Sequence, residues 1–232
     1  MKRELTNKIR YVLDELLPPV IRDAYWFMYP IFWVIYKGKD VRRKMHFKSL
    51  VQSMSDDEAN AFYNEVDAIS RVRETDLAES NIRCILDNLG PGHHSIADIG
   101  CGKGYLLQRI RQAYPEASLL GCDVENRLAY GDIPFARGSV TALPFADNQF
   151  DVVICTHTVE HILPLQQAMN ELVRIAKHRL IIVTPCQRYY YYTLDGHVNF
   201  FRHRSDLLRW LPLQKYVCNK LDMDWVYIGD KT

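Results

Sequence analysis

Four residues in the middle of the chain have the types and spacing of a ligand-binding turn. Asp98, Gly100, Gly102 and Gly104 occupy alternate positions at the end of an apolar run, and a helix-prone stretch begins at Tyr105. Glycines in this place let the backbone approach a ligand closely at a helix N-terminus. The dinucleotide fingerprint Gly-x-Gly-x-x-Gly would need its third glycine at position 105, so the spacing disfavours a nicotinamide cofactor.

A second acid follows the next apolar segment of the chain. The segment SLLGCD ends in Asp123, nineteen residues after Gly104. In a doubly wound α/β fold, an acid at the end of the second strand can accept hydrogen bonds from both ribose hydroxyls. Asp123 therefore predicts a nucleoside-containing ligand, and it serves NAD and S-adenosylmethionine (SAM) equally.

The pattern Asp-x-Gly-x-Gly-x-Gly resembles the first motif of class I SAM-dependent methyltransferases. Residues 136–162 resemble the stretch of type-11 methyltransferases, among them relatives of ubiquinone O-methyltransferases, from the adenine loop to the fourth strand. The loop LPF at 143–145 and the pair FD at 150–151 match, whereas Ser139 stands where Asp or Asn is usual. The resemblance covers about residues 75–212 and implies SAM as the cofactor.

The resemblance also implies which residues contact the cofactor. The glycine turn would hold the methionine end and Asp123 the ribose, while the backbone of Val140 would contact the adenine. The full predicted set is Asp98, Gly100, Cys101, Gly102, Gly104, Asp123, Ser139, Val140 and Thr156.

Three candidates for catalysis or metal binding follow the fourth strand, in the run HTVEH. His157, Glu160 and His161 share a face if a helix starts here. In ubiquinone O-methyltransferase relatives the matching run reads Glu, Glu, His and holds a divalent metal. Glu160 and His161 match and His157 departs, which leaves metal use open. The zinc-peptidase motif His-x-x-Glu-His also fits these letters, but it belongs on a long helix rather than directly after a buried strand. Bracing of the loop is the structural alternative.

The segment after the fifth strand supplies another histidine. Type-11 relatives carry a segment similar to HVNFF at 197–201, and its histidine faces the acceptor. We therefore predict His197 as the general base, since a neutral imidazole can take a hydroxyl proton near pH 7. Anchoring of the loop by hydrogen bonds is the alternative. The tyrosine run at 189–192 would expose alternate rings if it is extended.

The order of the elements predicts an α/β fold. We expect a Rossmann-like, seven-stranded, mostly parallel sheet with helices on both faces in residues 75–232, and a helical extension in residues 1–74. Only about ten residues separate Asp123 from Pro134, so the helix after the second strand should be short or missing. The family implies an antiparallel last strand. Ser55 with Glu58 predicts a capping box, and Thr75 and Gly90 predict the ends of a later helix.

The extension combines aromatic and basic residues. Residues 24–36 carry no charge and include seven aromatics, and residues 37–48 carry six Lys or Arg against one Asp. The apolar run is shorter than the roughly 20 residues that a membrane span takes. It suits either an anionic membrane surface or a cap over the substrate pocket. The membrane hypothesis uses Trp26, Phe27, Phe32 and Trp33 with Lys37, Lys39, Arg42, Arg43 and Lys44.

Composition limits the function classes. The chain has 29 Lys and Arg against 28 Asp and Glu, so no overall field recruits nucleic acid. Its six scattered cysteines include no Cys-x-x-Cys pair, and the first residues lack a signal-peptide core, so we expect a cytoplasmic protein, peripheral at the inner membrane face if the extension binds lipid. The predicted function is methyl transfer from SAM to an oxygen of a small or lipid-linked molecule, such as a sugar, a quinone or phenol, or a lipid precursor. A SAM-binding regulatory module and a nucleotide-dependent oxidoreductase are the alternatives.

Overall fold

The computed structural model describes residues 12, 16–66, 73–90, 92 and 94–231. The chain divides into two compact units. The helical unit comprises the chain up to Arg73 together with Gln187–Phe200, and the sheet unit comprises Glu74–Cys186 and Phe201–Thr232. Residues 1–11, 13–15 and 67–72 of the predicted extension lie outside the described residues.

The sheet unit contains seven strands and four helices among its described residues. The strands are β1 (Ser95–Ile99), β2 (Ser118–Asp123), β3 (Phe135–Arg137), β4 (Phe150–Thr156), β5 (Ala176–Pro185), β6 (Lys215–Leu221) and β7 (Asp224–Asp230). The helices of this unit, numbered along the chain after the five of the helical unit, are α6 (Glu79–Asp87), α7 (Tyr105–Ala113), α8 (Leu165–Ile175) and α9 (Arg204–Leu208).

The strands form one sheet in the order β3-β2-β1-β4-β5-β7-β6. The first five strands are parallel, and β7 runs antiparallel to both β5 and β6, as the family resemblance implies. Helices α7 and α8 connect parallel neighbours, because a parallel pair needs a crossover. The described chain between β2 and β3 contains no helix, which agrees with the short spacing there.

Two apolar cores lie on opposite sides of the sheet. Successive strand residues point to opposite faces, so Val152 and Ile154 of β4 join one core, and Val153 and Cys155 join the other. Helices α6 and α7 bury their apolar residues in the first core, and α8 and α9 in the second. Helices therefore cover both faces, as expected for an α/β fold.

Some element boundaries differ from the predicted ones. Thr75 does not cap the helix: its hydroxyl accepts the Leu77 N–H at 3.1 Å, and α6 begins at Glu79 after Ala78. A hydroxyl can satisfy a turn as well as a helix end, so the sequence signal is ambiguous. The capping box at Ser55 is present, with the Ser55 N–H donating to the Glu58 carboxylate at 2.9 Å and the Glu58 N–H to the Ser55 hydroxyl at 3.4 Å.

The helical unit has five described helices around its own apolar core. They are α1 (Pro19–Arg22), α2 (Tyr25–Ile35), α3 (Val41–Met45), α4 (Phe47–Val51) and α5 (Asp56–Val66). The buried core residues are Met28, Phe32, Tyr36, Val41, Met45, Phe47, Phe62, Val66 and Tyr192. Tyr192 comes from the segment 187–200, and the Tyr36 hydroxyl donates to the Leu194 carbonyl at 3.2 Å. These contacts join that segment to the N-terminal helices, which the sequence division at residue 74 did not anticipate.

The burial pattern corrects part of the membrane hypothesis. Phe32 is fully buried in the helical core, and Lys44 is buried with its ammonium 4.6 Å from the Tyr36 ring. Neither side chain can enter a lipid surface. Trp26 and Trp33 are 70% and 53% exposed, as that hypothesis requires. Among the described residues, no helix is long and apolar enough to cross a bilayer.

Candidate functional site

The glycine turn of the sheet unit follows the carboxyl end of β1. Gly100, Gly102 and Gly104 all have left-handed backbones, with φ of 75°, 51° and 78°. The N–H groups of Gly100 and Cys101 donate to the Cys122 carbonyl at 2.8 and 3.1 Å, and Gly104 is the N-cap of α7. Only glycine adopts this conformation at no steric cost, so the sequence pattern follows from the shape of the turn.

Asp123 lies beside this turn because β1 and β2 are parallel neighbours in which Ile99 pairs with Cys122. One carboxylate oxygen accepts the Gly102 N–H at 2.9 Å, and the other accepts the Val124 N–H at 2.7 Å. Burial raises the pKa of Asp123, and these backbone donors oppose the shift. Each oxygen has a second lone pair, so the carboxylate can also accept hydroxyl donors from a ligand.

The three glycines differ in the space around them. A Cβ on Gly100 would overlap the Thr158 side chain, and one on Gly104 would stand 2.6 Å from the Leu128 side chain. A Cβ on Gly102 would meet no described atom within 4 Å. Gly102 therefore marks the side of the turn that a ligand can approach, and the other two glycines allow close packing.

Asp98 is a buried acid on β1. Burial raises its pKa to about 7, and the charge of Asp123 adds to the shift. Its Oδ1 atom is buried and has no hydrogen-bond partner among the described residues. A buried acceptor without a donor is costly, so this oxygen suits a cationic group that arrives with a ligand.

The predicted adenine loop is held by residues that the sequence analysis missed. Ser139 shares a 2.7 Å hydrogen bond with the Thr141 hydroxyl, and Val140 is buried. Arg174 of α8 donates to the carbonyls of Leu143 and Phe145, at 3.1 and 2.6 Å. The Glu171 carboxylate accepts the Leu143 N–H at 2.8 Å and pairs with Arg174 at 2.7 Å. The spacing of Glu171 and Arg174 on one helix face was the available signal.

His157 lies between two buried carboxylates. Its Nδ1 is 3.4 Å from Oε1 of Glu160, and its Nε2 is 3.5 Å from Oδ2 of Asp224. Burial lowers its pKa, but Asp224 and Glu160 outweigh that effect and raise it to about 10. The Asn81 amide donates to Asp224 at 2.6 Å. His157 is thus an imidazolium near pH 7, and an imidazolium cannot accept a proton.

Glu160 and His161, the metal candidates, lie in a 3₁₀ turn rather than on an α-helix. The Thr184 hydroxyl donates to Glu160 at 3.2 Å, and His161 Nε2 is 4.0 Å from Oε1 of Glu160. Histidine nitrogen and glutamate oxygen are both ligands that divalent metal ions bind. Thr156 ends β4, and its carbonyl accepts the Thr158 hydroxyl at 3.0 Å. Metal binding by Glu160 and His161 stays a prediction.

His197 belongs to the helical unit. The Gln187 side chain orients its amide nitrogen toward Asp195 at 3.5 Å, so the amide oxygen faces Nδ1 of His197 at 2.5 Å. Oδ2 of Asp195 also lies 3.3 Å from this nitrogen. Two acceptors fix the proton on Nδ1, which leaves the lone pair of a neutral ring on Nε2. The arrangement suits a base.

The tyrosine run alternates in exposure. Tyr189 and Tyr191 are 58% and 53% exposed, whereas Tyr190 and Tyr192 are buried. This is the pattern that the sequence predicts for an extended segment, because successive side chains point to opposite sides.

Residues 97–183 match a family model described as a methyltransferase domain. Over this stretch the chain is similar to methyltransferase domains. A probable tocopherol O-methyltransferase of Oryza sativa subsp. japonica is 34% identical over 107 residues, which are 40% of this chain and 30% of that protein. A demethylmenaquinone methyltransferase of Renibacterium salmoninarum is 30% identical over 105 residues, which are 41% of this chain and 42% of that protein. The chain spans less than half the length of the curated relatives it matches.

The similarity of fold extends beyond residues 97–183. The solved structure titled "PigF with SAH" aligns with a TM-score of 0.60 at 18% identity and covers 89% of this chain and 72% of that chain. At this identity the likeness shows the fold alone. It agrees with the seven-stranded sheet described above.

The carboxylates beside His157 predict a pH-dependent stability of the sheet unit. The pKa of about 10 lies above the unfolded value of 6.5, so the stabilisation is complete below pH 6.5 and is lost as pH rises toward 10. Urea unfolding should show a decline of at most about 1.4 kcal/mol per pH unit in that window. His157→Gln should flatten this decline, while His178→Gln, at an exposed position, should not. An unchanged slope in His157→Gln would rule out the charged pairing.

Proposed function

We propose that this protein transfers a methyl group from SAM to an acceptor molecule. The observation that carries the proposal is the turn of three left-handed glycines after β1, open at Gly102 and bordered by the carboxylate of Asp123. The match of residues 97–183 to a methyltransferase domain supports it.

The residues of the turn suit SAM chemically. The amino group at its methionine end is a cation, and Asp98 offers a buried oxygen that no described residue supplies with a donor. The ribose hydroxyls are donors that Asp123 can accept, and the backbone near Ser139 and Val140 would serve the adenine. When bound, SAM supplies a methyl group already activated by its sulfonium.

The protein then has to align the acceptor, exclude water and remove a proton. We propose His197 as the base, because Gln187 and Asp195 hold its Nδ1 as a donor and direct the lone pair to Nε2. His157 is a poor base, because its two carboxylate neighbours keep it protonated.

We further propose an oxygen of a small or lipid-linked molecule as the acceptor. The name of one similar protein, a probable tocopherol O-methyltransferase, supports an oxygen acceptor, and that of another, a demethylmenaquinone methyltransferase, supports a lipid-linked quinone as the molecule. Within this class we favour quinols and phenols, which carry an ionisable hydroxyl for the base.

The exposed face of α2 supports a membrane-bound version of this activity. Trp26, Pro30 and Trp33 follow a helical period, and all three are exposed. Lys37 and Lys39 are exposed directly after the helix. Tryptophan beside basic residues suits the headgroup zone of an anionic membrane. We propose that the protein binds the cytoplasmic face of a membrane peripherally through this face.

Cofactor binding can be tested by calorimetry with SAM, S-adenosylhomocysteine and NAD. We expect saturable heat with the first two and none with NAD. Asp123→Asn should weaken both by about 1.5 to 3 kcal/mol, because it removes a charged acceptor. Asp132→Asn, which changes an exposed acid in the same connection, should bind as the wild type does. Heat with NAD alone would identify a nucleotide-dependent oxidoreductase instead.

Turnover tests the base, measured as S-adenosylhomocysteine released with a panel of quinols, phenols and fatty acids. On the best acceptor, His197→Ala should lower kcat at least a hundredfold and leave SAM affinity unchanged. His46→Gln, an exposed histidine of the same unit, is the control. Full activity in His197→Ala would place the base elsewhere, and SAM binding without turnover on any acceptor would favour a regulatory module.

Vesicle flotation tests the membrane proposal. Binding to anionic vesicles should be strong at low salt and weak at high salt, because salt screens the basic residues. Lys37→Gln with Lys39→Gln should remove about 2 kcal/mol, roughly thirtyfold in partitioning. Trp26→Ser with Trp33→Ser should also weaken flotation, whereas Val217→Ser, at an exposed apolar position of the sheet unit, should not. Flotation that none of these changes reduces would contradict the proposal.

A further inference from the structure

Arg22 is a buried arginine of the helical unit, and the two hydrogens on its Nη1 find no acceptor among the described residues. Nε and Nη2 of Arg22 donate to the Asp23 carboxylate at 3.1 and 2.9 Å, and Nη2 also donates to the Tyr189 carbonyl at 2.5 Å. Its guanidinium lies 4.1 Å from the Tyr190 ring centroid. Nη1 is buried and has no hydrogen-bond partner among the described residues. An arginine held in this way has a fixed direction in which to bind a further acceptor.

A lysine approaches the same two tyrosines. The Lys48 ammonium donates to the Tyr190 carbonyl and lies 3.7 Å from the Tyr189 ring centroid and 5.0 Å from that of Phe200. No carboxylate of the described residues lies within 4.0 Å of this ammonium. The pKa of Lys48 is lowered to about 8: burial lowers it most, Asp23 opposes the shift, Arg22 adds to it, and Asp195 opposes it.

The two cations contact the same two consecutive residues, Tyr189 and Tyr190. Arg22 contacts the Tyr189 carbonyl and the Tyr190 ring, whereas Lys48 contacts the Tyr190 carbonyl and the Tyr189 ring. Asp23 forms an ion pair with Arg22, whereas Lys48 has no carboxylate within 4.0 Å in the described part of the chain. Partly buried charge without a partner is unfavourable, and an external anion would relieve it while accepting the Nη1 hydrogens.

We propose that Arg22 and Lys48 form a binding site for a phosphate monoester. The remaining donors are the two hydrogens on Nη1 and those of the ammonium, and three terminal phosphate oxygens can accept all of them. Tyr189, which is more than half exposed, and Phe200 add aromatic rings beside the cations. The phosphate is carried by a soluble molecule or by a lipid headgroup. The proposal does not depend on methyl transfer, because binding is measurable without SAM.

The soluble arm of the test is calorimetry with phenyl phosphate, with phenol and benzoate for comparison. Wild-type protein should bind phenyl phosphate saturably at pH 7, and phenol at least tenfold more weakly. Lys48→Met should weaken binding at least tenfold, Lys48→Arg should restore it, and Lys220→Met, an exposed lysine of the sheet unit, should have no effect. Binding should weaken above pH 8 in the wild type as Lys48 loses its proton, but not in Lys48→Arg.

The lipid arm compares phosphatidylcholine vesicles that contain phosphatidic acid with vesicles that contain phosphatidylglycerol. If the wild type prefers phosphatidic acid and Lys48→Met loses this preference, the phosphate belongs to a lipid headgroup. If the wild type binds phenyl phosphate and Lys48→Met does not, the phosphate belongs to a soluble molecule. Lys48→Met binding like the wild type in both arms, or benzoate binding more tightly than phenyl phosphate, overturns the proposal. Arg22→Gln provides a second test of the site in the same binding measurements, once circular dichroism has shown that this variant folds.

Discussion

The left-handed backbone at Gly100, Gly102 and Gly104 is the constraint on which the rest of the sheet unit depends. A side chain at Gly100 would displace Thr158, and one at Gly104 would displace Leu128, so the loops after β4 and β2 can pack here only against glycine. Strand β2 holds this glycine turn in place. The Cys122 carbonyl of β2 accepts two N–H groups of the turn, and the Asp123 carboxylate accepts a third. One backbone conformation thus sets the positions of a carboxylate, two loops and a helix start.

The sequence predicted the features that rest on local patterns. The apolar run before the glycine turn forms β1 and the segment SLLGCD forms β2, and the short spacing after Asp123 correctly implied a connection with a short helix or none. The predicted start of α6 at Thr75 was wrong, because the Thr75 hydroxyl accepts the Leu77 N–H in a turn and the helix begins at Glu79. The assignment of residues 187–200 to the helical unit could not be predicted, because it rests on long-range burial of Tyr192 and on the hydrogen bond between Tyr36 and Leu194.

For the candidate site, residue types were predictable and their surroundings were not. The sequence identified His157 and Glu160 by their spacing, but it gave no sign that Asp224, 67 positions after His157, would lie against the same ring. It also placed Phe32 and Trp33 together at the membrane surface. A helix turns by about 100° per residue, so the two neighbours point in different directions: Phe32 is buried and Trp33 is exposed. Chemistry that depends on which charges meet requires the fold.

His157 and His197 show how the neighbouring acceptors determine which ring nitrogens carry a proton. Each ring nitrogen of His157 faces a buried carboxylate, so protonation satisfies both contacts and the ring holds its proton. At His197 the known acceptors, the Gln187 amide and the Asp195 carboxylate, both lie at Nδ1. A neutral ring satisfies them with its single proton and keeps basicity at Nε2. This difference is the reason why we propose His197, rather than His157, as the base.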